Sequence, residues 1–93
     1  MFDRILKRFR EKIRTRQYVM TVHAEEEMSD DGFTVHDVEH VILTGKILER
    51  QRDSTTSEWK YRIRGRTVDD DLLEVLAKEG PTGKVVIITV YAL

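Results

Sequence analysis

Apolar residues near the start of the chain recur three or four positions apart, with basic residues between them. The apolar positions are Phe2, Ile5, Leu6, Phe9 and Ile13. This pattern predicts an amphipathic helix within residues 1–17 that begins near Asp3, with one apolar stripe and a basic remainder. Such a stripe packs on its own domain or on a second copy of the chain. The basic side can instead lie on a membrane or a nucleic acid.

The next segment predicts a short strand and a short helix. Tyr18 to Thr21 is a brief run of β-prone residues, and His23 to Ser29 has helical spacing with Ala24 and Met28 on its inner side. The sequence Asp30-Asp31-Gly32 then breaks the helix.

Residues 34–44 carry the clearest local helix signal. Thr34 is a suitable N-cap, and Asp37 occupies the third position of a capping box. Val38, Val41 and Ile42 form the buried stripe. Gly45 follows, where a helix commonly ends on a residue in the left-handed conformation.

After Gly45 the apolar period changes from that of a helix to two, which predicts strands. Between residues 58 and 66, Trp59, Tyr61 and Ile63 alternate with basic residues, so one face is apolar and the other basic. Gly80 to Gly83 is a turn in which Pro81 fixes φ. The predicted strands are Lys46–Arg52, Glu58–Arg66, Leu72–Lys78 and Val85–Tyr91.

Together these elements predict one α+β domain over residues 1–93, with N-terminal helices packed on an antiparallel sheet of about four strands. The last strand is central, and Tyr18–Thr21 can pair with it. Ninety-three residues leave no room for a second core. The chain has no cysteine, which excludes disulfides and thiolate sites and suits the cytoplasm. No apolar run reaches the length of a membrane span, so we expect no membrane association through such a segment.

The net charge of -1 hides a strong segmental alternation. Residues 1–17 carry seven Lys or Arg and two acids, whereas residues 18–44 carry seven acids and no Lys or Arg. Residues 45–66 are basic again and residues 67–93 acidic. This polarity indicates either charged partners or segments that neutralise one another within the fold.

Histidine is the side chain most easily poised near neutral pH, and the chain has three. His36 and His40 share a helix face, but two ligands are too few for a zinc site, so no metal or cofactor is predicted. His23 begins a helix, with Glu27 one turn on to orient its ring. It is either a catalytic acid or base or a histidine that caps the helix.

The basic face of the second predicted strand is the other candidate site. Lys60, Arg62 and Arg64 alternate on it, and Arg50 and Arg52 of the preceding strand can join them. Guanidinium groups at this density suit phosphate oxygens, and Tyr91 can add stacking for an unpaired base. The alternative is that these cations pair with the acidic helices.

Several short stretches, in this order and spacing, resemble domain-of-unknown-function family 4258 over about residues 18–91. They are His23 to Met28, Asp31 to Thr34, Asp37-Val38, Ile42 to Glu49, Gly65, Leu73 to Val75, Gly80 to Gly83 and Ile88 to Tyr91. The chain departs from the wider family at Glu27 and Asp31, where arginine is frequent. The N-terminal helix lies outside the resemblance.

That family is similar to the RelE and BrnT toxins, and the resemblance implies a RelE-like fold and a toxin–antitoxin setting. It implies metal-independent RNA cleavage, in which His23 is the base or acid, Arg62 and Arg64 with Lys60 stabilise charge, and Tyr91 stacks or carries a proton. Arg50 is expected to help bind the RNA. An antitoxin with a DNA-binding domain would be the partner. The alternative function is a non-catalytic protein-binding domain, dimeric through the N-terminal stripe.

Overall fold

The computed structural model describes all residues from Met1 to Leu93 and contains three helices and five strands. In chain order the elements are α1 (Asp3–Arg14), β1 (Tyr18–Met20), α2 (Val22–Asp30), α3 (Val35–Thr44), β2 (Lys46–Arg52), β3 (Trp59–Arg66), β4 (Leu72–Glu79) and β5 (Val85–Ala92). None of the helices is long and apolar enough to cross a bilayer.

The strands form one sheet in the order β1-β5-β4-β3-β2. Strands β2 to β5 are an antiparallel meander, and β1 pairs with β5 in parallel, so that Val19 lies opposite Val86. The predicted α+β class is confirmed, and the pairing of the first segment with the last strand is confirmed as well. The sheet has one strand more than expected. It is mixed rather than antiparallel because β1 runs parallel to β5, and the chain between these two strands forms α2, α3 and β2 to β4.

All three helices pack on the same face of the sheet. Phe9 and Ile13 of α1, Ala24 of α2 and the Val38–Ile42 stripe of α3 form one buried cluster with alternate residues of β3, β4 and β5. The apolar stripe of α1 therefore packs largely inside the protomer, with Phe9 and Ile13 buried and Phe2, Ile5 and Leu6 partly buried. The homodimer expected through this stripe stays a prediction.

Polar groups of α1 also fix α3. Arg10 donates from Nε to the carbonyl of Ile42 at 3.1 Å and from Nη2 to the carbonyl of Gly45 at 2.8 Å. These carbonyls belong to the last turn of α3 and the residue after it, where a helix has no backbone donors of its own. A basic residue of the predicted surface helix is thus a cap for its neighbour.

The capping box at the start of α3 is confirmed, with Thr34 and Asp37 bonded reciprocally. The second carboxylate oxygen of Asp37 accepts the backbone N–H of Val68 at 3.2 Å, which ties the β3–β4 turn to the helix. The interpretation of Gly45 was wrong in its conformation. Its φ of -86° is not left-handed.

Glycine is needed at position 45 because two backbones meet there. A Cβ on Gly45 would lie 2.5 Å from the carbonyl oxygens of Val41 and Arg64, and Gly65 faces the Cα of Gly45. The end of α3 thus lies directly on β3, and the two glycines set the distance between helix and sheet.

We predict that Gly45→Ala lowers the free energy of unfolding by about 2–3 kcal/mol, because the added methyl group meets backbone atoms that cannot rotate away. Urea denaturation followed by circular dichroism measures this change. Ser29→Ala, on the exposed side of α2, is the control and should change stability little. Equal stabilities of the Gly45 variant and the parent would contradict the packing described.

Candidate functional site

The face of the sheet opposite the helices is covered by no other element. Alternate side chains of β2 to β5 lie on this face, and most of them are charged or polar. The side chains on the opposite, helix-covered face are largely apolar. The central residues of this uncovered face are Glu49, Gln51, Lys60, Arg62, Arg64, Glu74, Leu76, Lys78, Thr89 and Tyr91.

Glu74 is the centre of this face and is buried, with 1% of its side-chain surface exposed. One carboxylate oxygen accepts from Nη1 of Arg62 at 2.5 Å, and the other accepts from Nη2 of Arg64 at 3.1 Å. Tyr91 lies opposite Glu74 on β5, beside the same carboxylate. Arg62 also donates from Nε to Glu49 at 3.0 Å. We call Glu49, Arg62, Arg64, Glu74 and Tyr91 the Glu74 cluster.

The cluster fixes the protonation states of its members. Burial is the largest influence on Glu74 and raises its pKa, but hydrogen bonds from the two guanidinium groups outweigh it, so the pKa lies below its usual value. Burial and the neighbouring carboxylate of Glu74 raise the pKa of Tyr91. At neutral pH the carboxylate is therefore charged, and the tyrosine keeps its proton.

Basic residues around the cluster also have acidic partners on the sheet or its turns. Lys60 pairs with Asp53 at 3.3 Å, Lys78 with Glu58 at 3.2 Å and Arg66 with Asp70 at 4.0 Å. The pairing expected as the alternative to RNA binding is present, but its acids come from neighbouring strands and turns rather than from the helices.

Four of the predicted site residues share this face. Arg62 and Arg64 are joined through Glu74, Tyr91 lies opposite Glu74 on β5, and Lys60 lies beside the arginines on β3. The acidic residues that join them, Glu74 and Glu49, were missed. The signal for Glu74 was a carboxylate between Leu73 and Val75 in an otherwise apolar strand, but its partners follow only from the strand register.

Arg50 does not share the face of Lys60 and Arg64, contrary to the expectation. The pairing of β2 with β3 shifts by one residue between Ile47 and Glu49, which is a β-bulge. Since successive side chains alternate, one extra residue exchanges the two faces beyond it. Arg50 lies opposite the buried Tyr61, and its guanidinium group sits 4.1 Å from the centre of the Trp59 ring on the helix side.

His23 lies at another edge of the molecule. Strand β1 covers only residues 85–87 of β5, and α2 lies along the rest of that edge, where Glu27 accepts the N–H of Val90 at 3.1 Å. Nε2 of His23 is 3.1 Å from the same oxygen of Glu27, and the imidazole is largely exposed. Helix α2 packs on the helix side of the sheet and the Glu74 cluster lies on the other face, and no hydrogen bond or ion pair joins His23 to the cluster. A catalytic role for His23 stays a prediction.

The other two histidines hold local contacts. Nδ1 of His40 is 2.7 Å from the carbonyl oxygen of Arg66, and Nδ1 of His36 is 3.3 Å from Glu39. Glu39 also accepts the hydroxyl of Tyr18 at 2.6 Å, and burial together with this bond raises the pKa of Tyr18 to about 12. The pair on α3 thus turns toward different partners.

These features define the class of the protein: a single α+β domain whose helices cover one face of a mixed sheet and whose other face carries a polar cluster. The chain belongs to the family described as Domain of unknown function (DUF4258), whose sequence model matches residues 20–92. Helix α1 precedes the matched region. No curated protein and no solved structure matches the chain.

We predict that Glu74→Gln destabilises the fold by about 1–3 kcal/mol at pH 7, because two guanidinium groups lose their buried charged acceptor. The pKa of Glu74 is lowered on folding, so its contribution is complete above the ordinary value of 4.5 and is lost as the pH falls below it. Stability of the parent and the variant should therefore converge toward low pH. Thermal unfolding between pH 7 and pH 3 measures this.

The control for this experiment is Glu26→Gln, on the exposed side of α2, where no ion pair is lost. It should leave stability and its pH dependence close to those of the parent. A Glu74 variant that keeps the parent's stability at pH 7 would show that the carboxylate does not hold the cluster together.

Proposed function

We propose that the protein is a metal-independent endoribonuclease, a RelE- or BrnT-like toxin of a toxin–antitoxin system, with its site in the Glu74 cluster. One observation carries the proposal. Arg62 and Arg64 are held side by side on an uncovered face by one buried carboxylate, and Tyr91 lies opposite that carboxylate on the next strand. Guanidinium groups fixed in this way suit the oxygens of a phosphodiester.

The reaction class needs three things that this face can provide. The 2′-hydroxyl of RNA attacks the adjacent phosphorus, the bond to the 5′-oxygen breaks, and the products are a 2′,3′-cyclic phosphate and a 5′-hydroxyl. Donors that Arg62 and Arg64 do not use on carboxylates would stabilise the negative charge at phosphorus. The neutral hydroxyl of Tyr91 would protonate the departing 5′-oxygen.

The base that takes the proton of the 2′-hydroxyl has two candidates. The carboxylate of Glu74 is too deeply buried to reach a 2′-hydroxyl group. Glu49 is about half exposed and is bound to Arg62. His23 is the base in the mechanism that the family resemblance implies, and it would require RNA to extend from the cluster to the edge at α2. Glu49 is favoured by its position on the face.

One observation favours the alternative, a non-catalytic protein-binding domain. Most cations on the uncovered face, with the exception of Lys46, have acidic partners. The face therefore attracts a polyanion less strongly than its basic residues alone would suggest. In the toxin setting an antitoxin with a DNA-binding domain would cover this same face. Binding of such a partner is expected under both functions, and cleavage of RNA separates them.

We predict that the purified protein cleaves a 5′-labelled single-stranded RNA in the presence of EDTA and leaves a cyclic phosphate. Arg62→Gln should slow cleavage by about 10²–10³-fold, the usual loss for a donor that stabilises the transition state. Arg66→Gln removes the same charge from an exposed position at the end of β3 and is the matched control. Gel electrophoresis of time points measures the rates.

Intact RNA at high protein concentration, together with normal growth of cells that express the chain alone, would contradict the nuclease and leave the binding domain. Equal losses in the Arg62 and Arg66 variants would indicate a charge effect without a specific site. Circular dichroism of each variant shows that it has folded.

A second pair of variants tests the roles of individual groups. We predict that Tyr91→Phe slows cleavage by about 10²-fold, because it removes the proton for the 5′-oxygen and keeps the ring. Glu49→Gln should flatten the acidic limb of the pH–rate profile, whereas His23→Gln should change neither rate nor profile. If only the His23 variant loses activity, the general base is His23 on α2 rather than Glu49.

A further inference from the structure

Several basic residues without acidic partners lie on the helix side of the sheet, away from the Glu74 cluster, whereas Lys46 of β2 is unpaired on the uncovered face, opposite Arg64. Arg50 and Arg52 of β2 and Arg4 and Lys7 of α1 are exposed and make no ion pair, unlike the cations of β3. The unbalanced positive charge of the molecule is therefore displaced toward the β2 edge and the adjoining helix.

An aromatic ring accompanies these cations. The guanidinium carbons of Arg50 and Arg52 lie 4.1 and 4.4 Å from the centre of the Trp59 ring. Trp59 is half-buried and lines a cleft of about 270 Å³ between α1 and β3. The helix forms one wall of the cleft with Ile5 and Phe9, and Arg8, paired with Glu79 at 3.2 Å, lies at its rim.

We infer that the surface formed by Arg50, Arg52 and Trp59 at this cleft binds single-stranded nucleic acid. Trp59 and the guanidinium planes beside it form a stacking platform for an unpaired base, and the same guanidinium groups reach backbone phosphates. The β-bulge at Leu48 creates this surface by turning Arg50 and Arg52 away from the acidic residues of the uncovered face.

The burial of the apolar side chains of α1 favours a nucleic acid over a membrane surface as the ligand. An amphipathic helix binds lipid by burying its apolar face among the acyl chains. The apolar side chains of α1 are instead directed into the core, where Phe9 and Ile13 are almost fully buried. What the helix exposes is charge, which suits phosphates in solution.

The cleft also depends on a part of the chain outside the family match. Helix α1 supplies one of its walls, and the matched region begins only at residue 20. The inference concerns binding alone, so it stands or falls independently of cleavage at the Glu74 cluster.

The single tryptophan of the chain allows a direct test, because all tryptophan fluorescence comes from position 59. The probe is oligodeoxythymidylate of about twelve nucleotides, long enough for a stacking groove. It lacks the 2′-hydroxyl and cannot be cleaved by the proposed chemistry. We expect saturable quenching of Trp59 emission and a matching rise in the anisotropy of a labelled oligonucleotide.

The variant Arg50→Gln/Arg52→Gln should weaken binding at least about tenfold at low salt. It should also reduce the slope of log affinity against log salt by about 1.4, the value for two phosphate contacts to a single strand. Arg66→Gln/Lys84→Gln removes the same total charge elsewhere and is the matched control. Trp59→Phe, read by anisotropy, should weaken binding without a change in the salt slope.

Three results would overturn the inference: no quenching at low salt, equal losses in the two double variants, or equal binding of polyglutamate of the same charge. Binding to phosphatidylserine vesicles without binding to the oligonucleotide would indicate a membrane surface instead. If the protein binds the oligonucleotide and leaves RNA intact, the binding surface is supported and the nuclease proposal is contradicted. If the parent does not bind the oligonucleotide and the Arg50/Arg52 variant still cleaves RNA at the full rate, the nuclease proposal is supported and the binding surface is contradicted.

Discussion

The buried carboxylate of Glu74 is the interaction on which the uncovered face depends. A charged group with almost no exposed surface is stable only when its partners replace the water it has lost. Here two guanidinium groups of β3 do so, and the phenol of Tyr91 lies beside the carboxylate on β5. Because both guanidinium groups are held by the same carboxylate, their relative positions are fixed before any ligand arrives. Preorganisation of this kind is what an electrostatic site requires.

The parts of the fold that follow from local chemistry were predictable from the sequence. The capping box of Thr34 and Asp37 sets the start of α3, and the period of two sets β3. The conformation of Gly45 was not predictable. Glycine is required at this position because β3 approaches it closely, which is a contact between segments distant in sequence. Arg10 is a similar case, because its partners at the end of α3 lie more than thirty residues away.

The site was predictable only in part, for the same reason. Alternation within β3 placed Lys60, Arg62 and Arg64 together, but the partner strands decide what these cations contact. The register of β4 brings Glu74 to Arg64, and the bulge in β2 brings Glu49 to the face and removes Arg50 from it. A bulge has no reliable sequence signature here. A single extra residue therefore changed the side of the sheet on which two arginines act.

The separation of paired from unpaired cations has a consequence for how the two faces can work together. On the uncovered face the carboxylates restrain the guanidinium groups, which favours fixed geometry over attraction at a distance. On the side of Trp59 the unpaired arginines favour attraction, since exposed charges act over about a Debye length. Both groups are adjacent to β2, an edge strand that no other strand covers. Under the two proposals, a single strand of RNA bound at Arg50 and Arg52 would need to cross only the β2 edge to reach Arg62. The order of the strands, with β2 at the edge and β3 beside it, is what makes such a path short.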